Sequence, residues 1–363
     1  MKKIVIDARE SGTTTGRYVD KLVEYLHKLK PDFEVVILTK TPRVEYMKAV
    51  APDFKVIESN YKEFTWAEQT GLARQLYSLK PDLVHFSMAQ QPVFYFGKAV
   101  TTVHDLTTTR YGNPAKNPFV YKFKQWVYRL VIWIVAHKSR RLFTPSRFVK
   151  KDLARYAKVK PSKISVTHEA AGKITEPAKP VKGLESNSFI MYVGRPQPHK
   201  NLRRLVEAFS LLKPKYPDLK LVLAGKKDIL YKRLEEMVKE WELEGVVFTG
   251  LISESELRWL YENTAAYVFP SLSEGFGLPG LEAMAHGSPV VSSNATSLPE
   301  IYGKAAHYFD PRDAVDIVAK IEEMLDSRSL REKLIKAGQL QAKKYSWQKT
   351  AKRTLEVYEA ALE

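Results

Sequence analysis

The chain has 363 residues, enough for two ordinary domains that each bury a core. It contains no cysteine, which excludes disulfides, thiolate metal sites and cysteine nucleophiles. Its net charge of +17 is concentrated in one stretch: residues 110–163 hold 15 Lys and Arg against the single acid Asp152, while 1–109 balance to +2 and 164–363 to +1.

Short apolar runs alternate with helical patterns, which predicts an α/β fold with parallel sheets. In the first half the expected strands are 4–8, 35–39, 55–58, 83–86, 100–104, 141–145 and 164–167. Met1-Lys2-Lys3 leads directly into the first, so no signal peptide is expected. The longest apolar stretch, near 126–136 and interrupted by Arg129, is too short to span a bilayer. These features predict a cytoplasmic protein, free or peripheral on a membrane.

The first strand is followed by Gly12-Thr13-Thr14-Thr15-Gly16-Arg17-Tyr18, whose small polar residues suit close approach to a phosphate or an acceptor. The fifth ends in Thr101-Thr102-Val103-His104-Asp105-Leu106. His104 there reads either as a contact to a sugar hydroxyl or as a histidine satisfied within the protein. The basic segment 110–163 predicts an anionic partner (nucleic acid, anionic lipid or a phosphorylated acceptor) or else a solvated surface. No nucleic-acid-binding motif accompanies the charge, so nucleic acid is set aside. Within it, 118–138 carries Phe119, Phe123, Trp126, Trp133 and Ile134 and reads as a core helix in preference to an interfacial membrane helix.

A Pro-, Lys- and Gly-rich stretch at 169–188 precedes a second series of strands at 189–194, 219–225, 246–250, 266–271, 289–293 and 306–310. Seven strands, a linker and six strands describe two doubly wound, Rossmann-like domains. Ligands are expected at the carboxyl ends of their strands and in a cleft between them.

Two segments of the second half carry unusual chemistry. Gly194-Arg195-Pro196-Gln197-Pro198-His199-Lys200-Asn201 joins a strand to a helix and offers a guanidinium fork and an ammonium, a pair suited to a diphosphate. Taken alone, they are surface charges. Ser273-Glu274-Gly275-Phe276-Gly277-Leu278-Pro279-Gly280-Leu281-Glu282 also joins a strand to a helix, with Pro279 in the first turn. A helix start seats phosphate, and Glu274 and Glu282 beside it suit sugar hydroxyls. Gly275, Gly277 and Gly280 with Glu300 also satisfy a dinucleotide fingerprint. That reading is disfavoured by the late position in the domain and by Pro279, which has no N–H to offer. A plain strand–turn–helix junction explains the glycines but not both glutamates.

Together these segments resemble the retaining glycosyltransferases of family 4, of two-domain GT-B architecture, over nearly the whole chain. The most specific match is Glu274-Gly275-Phe276-Gly277-Leu278-Pro279 with Glu282, the E-x7-E element. Val193-Gly194-Arg195 with Lys200-Asn201 matches the phosphate-binding segment. Thr144-Pro145-Ser146-Arg147-Phe148, Ser297-Leu298-Pro299-Glu300 and Tyr345-Ser346-Trp347 are supporting matches. Ile6-Asp7-Ala8-Arg9, Thr15-Gly16-Arg17-Tyr18 and Thr102-Val103-His104-Asp105-Leu106 look most like mannosyltransferase members.

The resemblance implies an acceptor-side domain at 1–172, a linker at 173–188, a nucleotide-sugar domain at 189–345, and a last helix within 346–363 packing back on the first domain, the two domains facing a central cleft. It implies that Arg195 and Lys200 bind the donor diphosphate with the backbone of Phe276, Gly277 and Leu278. Glu282 would bind the ribose hydroxyls and Glu274 would lie against the donor sugar. His104 would meet the sugar from the other domain, and Gly16 would lie near diphosphate and acceptor. It further implies retention by front-face attack without a metal, in keeping with the lack of a D-x-D motif. The expected donor is GDP-mannose, with a UDP-hexose as the alternative, and the expected acceptor a glycan or lipid-linked sugar. Two departures stand out: Thr13–Thr15 where many members have paired glycines, and Thr167-His168-Glu169-Ala170-Ala171 in place of the common Asn-Gly ending. Readings of another class are a nucleotide-sugar epimerase and a non-catalytic nucleotide-sugar-binding protein. A glycan phosphorylase would need a longer chain and a pyridoxal-phosphate lysine.

Overall fold

Runs such as Lys-Ile-Val-Ile-Asp and Phe-Ile-Met-Tyr-Val are rich in β-branched and aromatic residues and too short for stable helices, so they extend into strands covered on both faces. A computed structural model describes residues 1–112, 118–185 and 188–363, with 118–121 described by their backbone only. Residues 113–117 of the basic segment, 186–187 of the expected linker and the Phe119 side chain lie outside the described residues.

One sheet contains β1 (Lys3–Asp7), β2 (Glu34–Thr39), β3 (Lys55–Glu58), β4 (Leu83–Phe86), β5 (Ala99–Thr102), β6 (Arg141–Thr144) and β7 (Ile164–Val166), in the order β3-β2-β1-β4-β5-β6-β7. The other contains β8 (Phe189–Val193), β9 (Lys220–Ala224), β10 (Val246–Gly250), β11 (Ala266–Phe269), β12 (Val290–Ser293) and β13 (Ala306–Phe309), in the order β10-β9-β8-β11-β12-β13. Every pairing is parallel. Both sheets are doubly wound, as the sequence predicts. Several strands end one or two residues earlier than expected, so His104, Pro270 and Ser271 belong to the loops beyond.

The chain divides into two compact units. The first comprises Met1–Thr109, Phe123–Glu169 and Ser346–Glu363; the second comprises Arg110–Lys122 and Ala170–Tyr345. In the first, the helix Trp347–Leu362 packs against the helix Arg17–Leu29. Its Ala351, Thr354, Tyr358 and Ala361 are buried, at the spacing of one helical face. In the second, β8, β9 and β11 form the core with Leu205, Phe209 and Tyr302 from the covering helices. Tyr111 joins this unit, its ring 5.9 Å from that of His199.

The helix Pro118–Lys138 corrects one expectation. Tyr128, Ile132, Val135 and Ala136 face the core, but Phe123, Trp126 and Trp133, read as core residues, lie on the exposed side. The helix is apolar on both faces, and one stripe is enough to dock it. Among the described residues, no helix is long and apolar enough to cross a membrane.

Candidate active site

The second sheet reverses its winding between β8 and β11, so the segments leaving these adjacent strands open side by side. After β8 the chain makes a short turn at Pro198–Lys200 and enters the helix Leu202–Leu212 through Asn201, in the left-handed conformation with φ of 60°. Asparagine tolerates this backbone better than most residues. Its Nδ2 donates to the carbonyls of Pro270 (3.1 Å) and Pro311 (2.7 Å), and the Leu272 amide donates to the His199 carbonyl at 2.7 Å. The turn is thereby tied to the end of β11.

That tie brings Lys200 to Glu274. Nζ and Oε1 are 2.5 Å apart, and both side chains are largely buried. The ammonium and carboxylate assigned separately to diphosphate and sugar thus form one ion pair. Removing either would leave the other charge unpaired in a partly dry site. Arg195 is different: it is exposed, 3.2 Å from Asp228, and such a pair contributes little to stability. Asp228 also caps the helix Ile229–Glu240 by accepting from the Leu230 and Tyr231 amides, so Arg195 is anchored at its partner's end.

Beyond β11, Gly277 has φ of 93° and precedes the helix Leu278–Ala285. A Cβ there would lie 2.5 Å from the Tyr302 hydroxyl and 2.6 Å from Leu298 Cδ2. The Tyr302 hydroxyl donates to the Gly277 carbonyl at 2.6 Å. Both backbone and space therefore demand glycine. The loop is held from the other side as well: the Glu274 amide donates to Thr296 Oγ1 at 3.0 Å, and Ser297 Oγ donates to the Glu274 carbonyl at 2.9 Å. The N-cap residue of this helix, Gly277, has no side chain to cap it. Glu282, on its second turn, is half-buried and accepts from the Tyr261 hydroxyl at 3.4 Å. Phe276 is buried with its ring 5.4 Å from that of Tyr345, so its side chain anchors the loop and only its backbone is placed to serve a ligand.

The first sheet reverses between β1 and β4. Gly16 ends the loop after β1 and begins the helix Arg17–Leu29. A Cβ on Gly16 would sit 1.7 Å from the Glu10 carbonyl oxygen. Its amide donates to Thr13 Oγ1 at 3.0 Å, and Thr13 Oγ1 donates to the Glu10 carbonyl at 2.8 Å. Thr13, the departure from a glycine pair, is thus part of the turn's frame.

His104 lies just past β5. Its Nδ1 is 3.0 Å from Glu169 Oε1 and its Nε2 is 3.1 Å from the Ser87 carbonyl. The Ser87 carbonyl only accepts, so Nε2 donates to it, and the charged form of the ring also donates from Nδ1 to the Glu169 carboxylate. Burial works against that charge, but the Glu169 hydrogen bond and charge, with the Ser87 carbonyl and Asp105, outweigh it and raise the His104 pKa. Both ring nitrogens are therefore already engaged within the protein. Glu169, the second departure, supplies the counter-charge.

Beneath it lies a second histidine that sequence reasoning missed. His85 is fully buried, with Nδ1 2.6 Å from the Tyr358 hydroxyl and Nε2 2.8 Å from Thr102 Oγ1. Burial, reinforced by the charge of His104, pushes its pKa down to about 3. The Tyr18 hydroxyl is 3.2 Å from the same Thr102 oxygen, and the Tyr18 ring meets His104 edge-on with centroids 4.8 Å apart. Sequence reasoning also missed Asp228, Thr296 and Tyr302. Asp228 had a signal, an aspartate immediately before a helix; the others are recognisable only through contacts. Among the described residues, no group of three His, Cys, Asp or Glu is arranged to hold a metal ion.

Two family models match this chain: Glycosyltransferase Family 4 over residues 15–170 and Glycosyl transferases group 1 over residues 175–341. A curated relative, O-antigen chain mannosyltransferase B of Escherichia coli, is 31% identical over 278 residues, which is 72% of this chain and 70% of the relative. This chain belongs to glycosyltransferase family 4. Solved structures show the same fold. Sucrose-phosphate synthase from Thermosynechococcus elongatus superposes with a TM-score of 0.77 at 19% identity, covering 99% of each chain. Anabaena HepE in complex with UDP-glucose gives 0.76 at 12% identity, covering 99% of this chain and all of the other. As a family 4 glycosyltransferase, the protein is an enzyme of sugar transfer.

Proposed function

We propose that this glycosyltransferase moves a hexose, in the first instance mannose from GDP-mannose, to a glycan or lipid-linked acceptor with retention of anomeric configuration and without a metal ion. The observation that carries this reading is the joining of Lys200 to Glu274 where the second sheet reverses, beside the glycine-initiated start of the helix Leu278–Ala285. In the resting protein Glu274 holds the ammonium in place. A bound diphosphate would share it, with Arg195 and the helix dipole supplying further positive potential. Glu282, half-buried and facing the Tyr261 hydroxyl, is the acceptor for ribose hydroxyls. Front-face transfer balances simply: the anomeric carbon–phosphate oxygen bond breaks, the acceptor oxygen bonds to the same face, and its proton passes to the departing diphosphate. The half-buried His104, whose charged form Glu169 favours, lies on the first unit, to which the sugar and acceptor are assigned.

Mannose is favoured by the Escherichia coli relative, whose name is that of a mannosyltransferase. UDP-hexose remains the alternative because HepE was solved with UDP-glucose. The chain lacks cysteine, which fits a reducing cytoplasm.

The test is transfer itself. The enzyme is incubated in excess EDTA with GDP-mannose or UDP-glucose and a panel of glycan acceptors, and the anomeric configuration of the product is read by NMR. Transfer with retention in EDTA supports the proposal. Inversion, or activity restored only by Mn²⁺, contradicts it. Nucleotide-sugar binding with no transfer to any acceptor favours the binding-protein reading.

A further inference from the structure

Large apolar side chains normally leave water, yet the first unit displays a row of them. On the helix Pro118–Lys138, Phe123 is 65% exposed, Trp126 59%, Leu130 43% and Trp133 46%. Their spacing of three, four and three residues puts them on one helical stripe, opposite the stripe that packs into the core. Phe123 and Trp126 stack with ring centroids 6.2 Å apart.

Further exposed aromatic side chains lie on segments tied to this helix. Lys138, at the end of this helix, donates to the carbonyls of Pro92 and Val93, which brings alongside it the loop carrying the 79%-exposed Phe96. Gln69 accepts from the Val93 amide and ties in the segment that carries the 79%-exposed Trp66. The ring of Phe64, two residues before Trp66, lies 6.3 Å from that of Tyr128, on the core-facing side of the same helix.

Basic residues accompany this apolar stripe on the helix and on the elements packed against it. Lys122 and Lys124 are exposed on the helix itself. The basic helix Arg147–Ala157 lies beside it, the Tyr156 hydroxyl donating to the Arg129 carbonyl. Arg129, Arg140, Arg141 and Lys163 bond backbone carbonyls, which leave their charge uncancelled.

We propose that this face docks on an anionic phospholipid bilayer, with Phe123, Trp126, Leu130 and Trp133 entering the headgroup region and the surrounding lysines and arginines holding the lipid charge. Aromatic and aliphatic side chains ringed by cations suit an interface that is apolar at depth and negative at its surface. A basic surface serving solubility would have no use for four exposed large side chains. A second copy of the chain would bring the same positive charge against itself. Single-stranded nucleic acid stacks on flat rings, whereas Leu130 at the centre of the stripe needs an apolar medium to enter.

The full chain is tested by flotation with vesicles of phosphatidylglycerol and phosphatidylcholine, and with phosphatidylcholine alone, at low and high salt. Binding is expected on the anionic vesicles only, weakening as salt rises. The double variant Trp126→Ser, Trp133→Ser changes exposed positions, so its melting curve should match the parent; its partitioning should fall about tenfold or more. The variant Lys122→Glu, Lys124→Glu should bind more weakly and respond less to salt. Absence of binding to anionic vesicles at low salt, equal binding to both vesicle types, or undiminished binding by the folded double tryptophan variant would overturn the proposal. So would loss of oligonucleotide binding or of self-association, rather than vesicle binding, in that variant. Nucleotide-sugar affinity in solution is expected to be unchanged in both variants, which keeps this test separate from that of the donor site.

Discussion

His104 and His85 are close in the fold, but their pKa values are shifted in opposite directions. His104 faces a carboxylate and a carbonyl, which favour its charged form against burial; His85 lies in a dry core against two hydroxyls, where burial and the His104 charge disfavour its own. The consequences for stability have opposite signs. The His104 pKa is raised on folding, so its contribution is complete below the ordinary value of 6.5 and is lost as pH rises through its folded value. His85 falls to about 3, so its contribution is complete above 6.5 and is lost as pH drops toward 3. Between those values the unfolded chain takes up a proton that the native ring refuses. Chemical denaturation from pH 7 to 4 should therefore show an acid loss from His85 approaching ~1.4 kcal/mol per pH unit. Replacing His85 with Gln should flatten that slope. Glu169→Gln keeps a hydrogen-bond acceptor for Nδ1 but removes the charge, leaving burial to dominate. The His104 pKa should then fall, as read by NMR titration of the imidazole, and transfer should slow; an unmoved pKa would show that Glu169 is not its counter-charge.

Among the elements, the loop after β11 and the last helix show what the sequence could and could not reveal. The glycine at 277 was legible as part of a motif. Its physical reason, a φ of 93° under the Tyr302 hydroxyl, lies 25 residues further along and emerges only in the fold. Gly277→Ala should cost ~1–2 kcal/mol for the backbone alone and more for the contact with Tyr302. Circular dichroism melts and nucleotide-sugar affinity should both register the change, and an unaltered affinity would mean that the loop does not shape the donor site. The helix Trp347–Leu362 covers the helix Arg17–Leu29 and places the Tyr358 hydroxyl on His85. Deleting 346–363 should leave the first unit unable to fold stably. The milder Tyr358→Phe should lower stability by about 1–2 kcal/mol, because a buried ring nitrogen loses its partner; a melt identical to the parent would contradict that role. Strands were legible because apolar runs bounded by polar turns have few other fates. The exposure of Trp126 and Trp133 was not, since a helix apolar on two faces gives no sign of which one is covered. Nor was the pairing of His104 with Glu169, which lies 65 residues away.

For the molecule as a whole, the proposed function assigns different tasks to the two doubly wound units. The second gathers Lys200, Glu274, Glu282 and the helix start at Gly277 where its sheet reverses; the first holds Gly16 after β1 and His104 after β5. The chain enters the second unit at Arg110, returns at Phe123, enters again at Ala170 and returns to the first at Ser346. The proposed function assigns the donor to the second unit. Calorimetric titration in EDTA, with GDP-mannose and UDP-glucose in parallel, examines that assignment in the parent enzyme and in Lys200→Ala and Glu282→Ala, each checked for an intact fold. The better of the two nucleotide-sugars should bind the parent without metal, and each variant should bind it about 10–100-fold more weakly, the loss expected for one charge-assisted hydrogen bond. Undiminished affinity in both folded variants, or binding that appears only when Mg²⁺ or Mn²⁺ is added, would contradict the assignment.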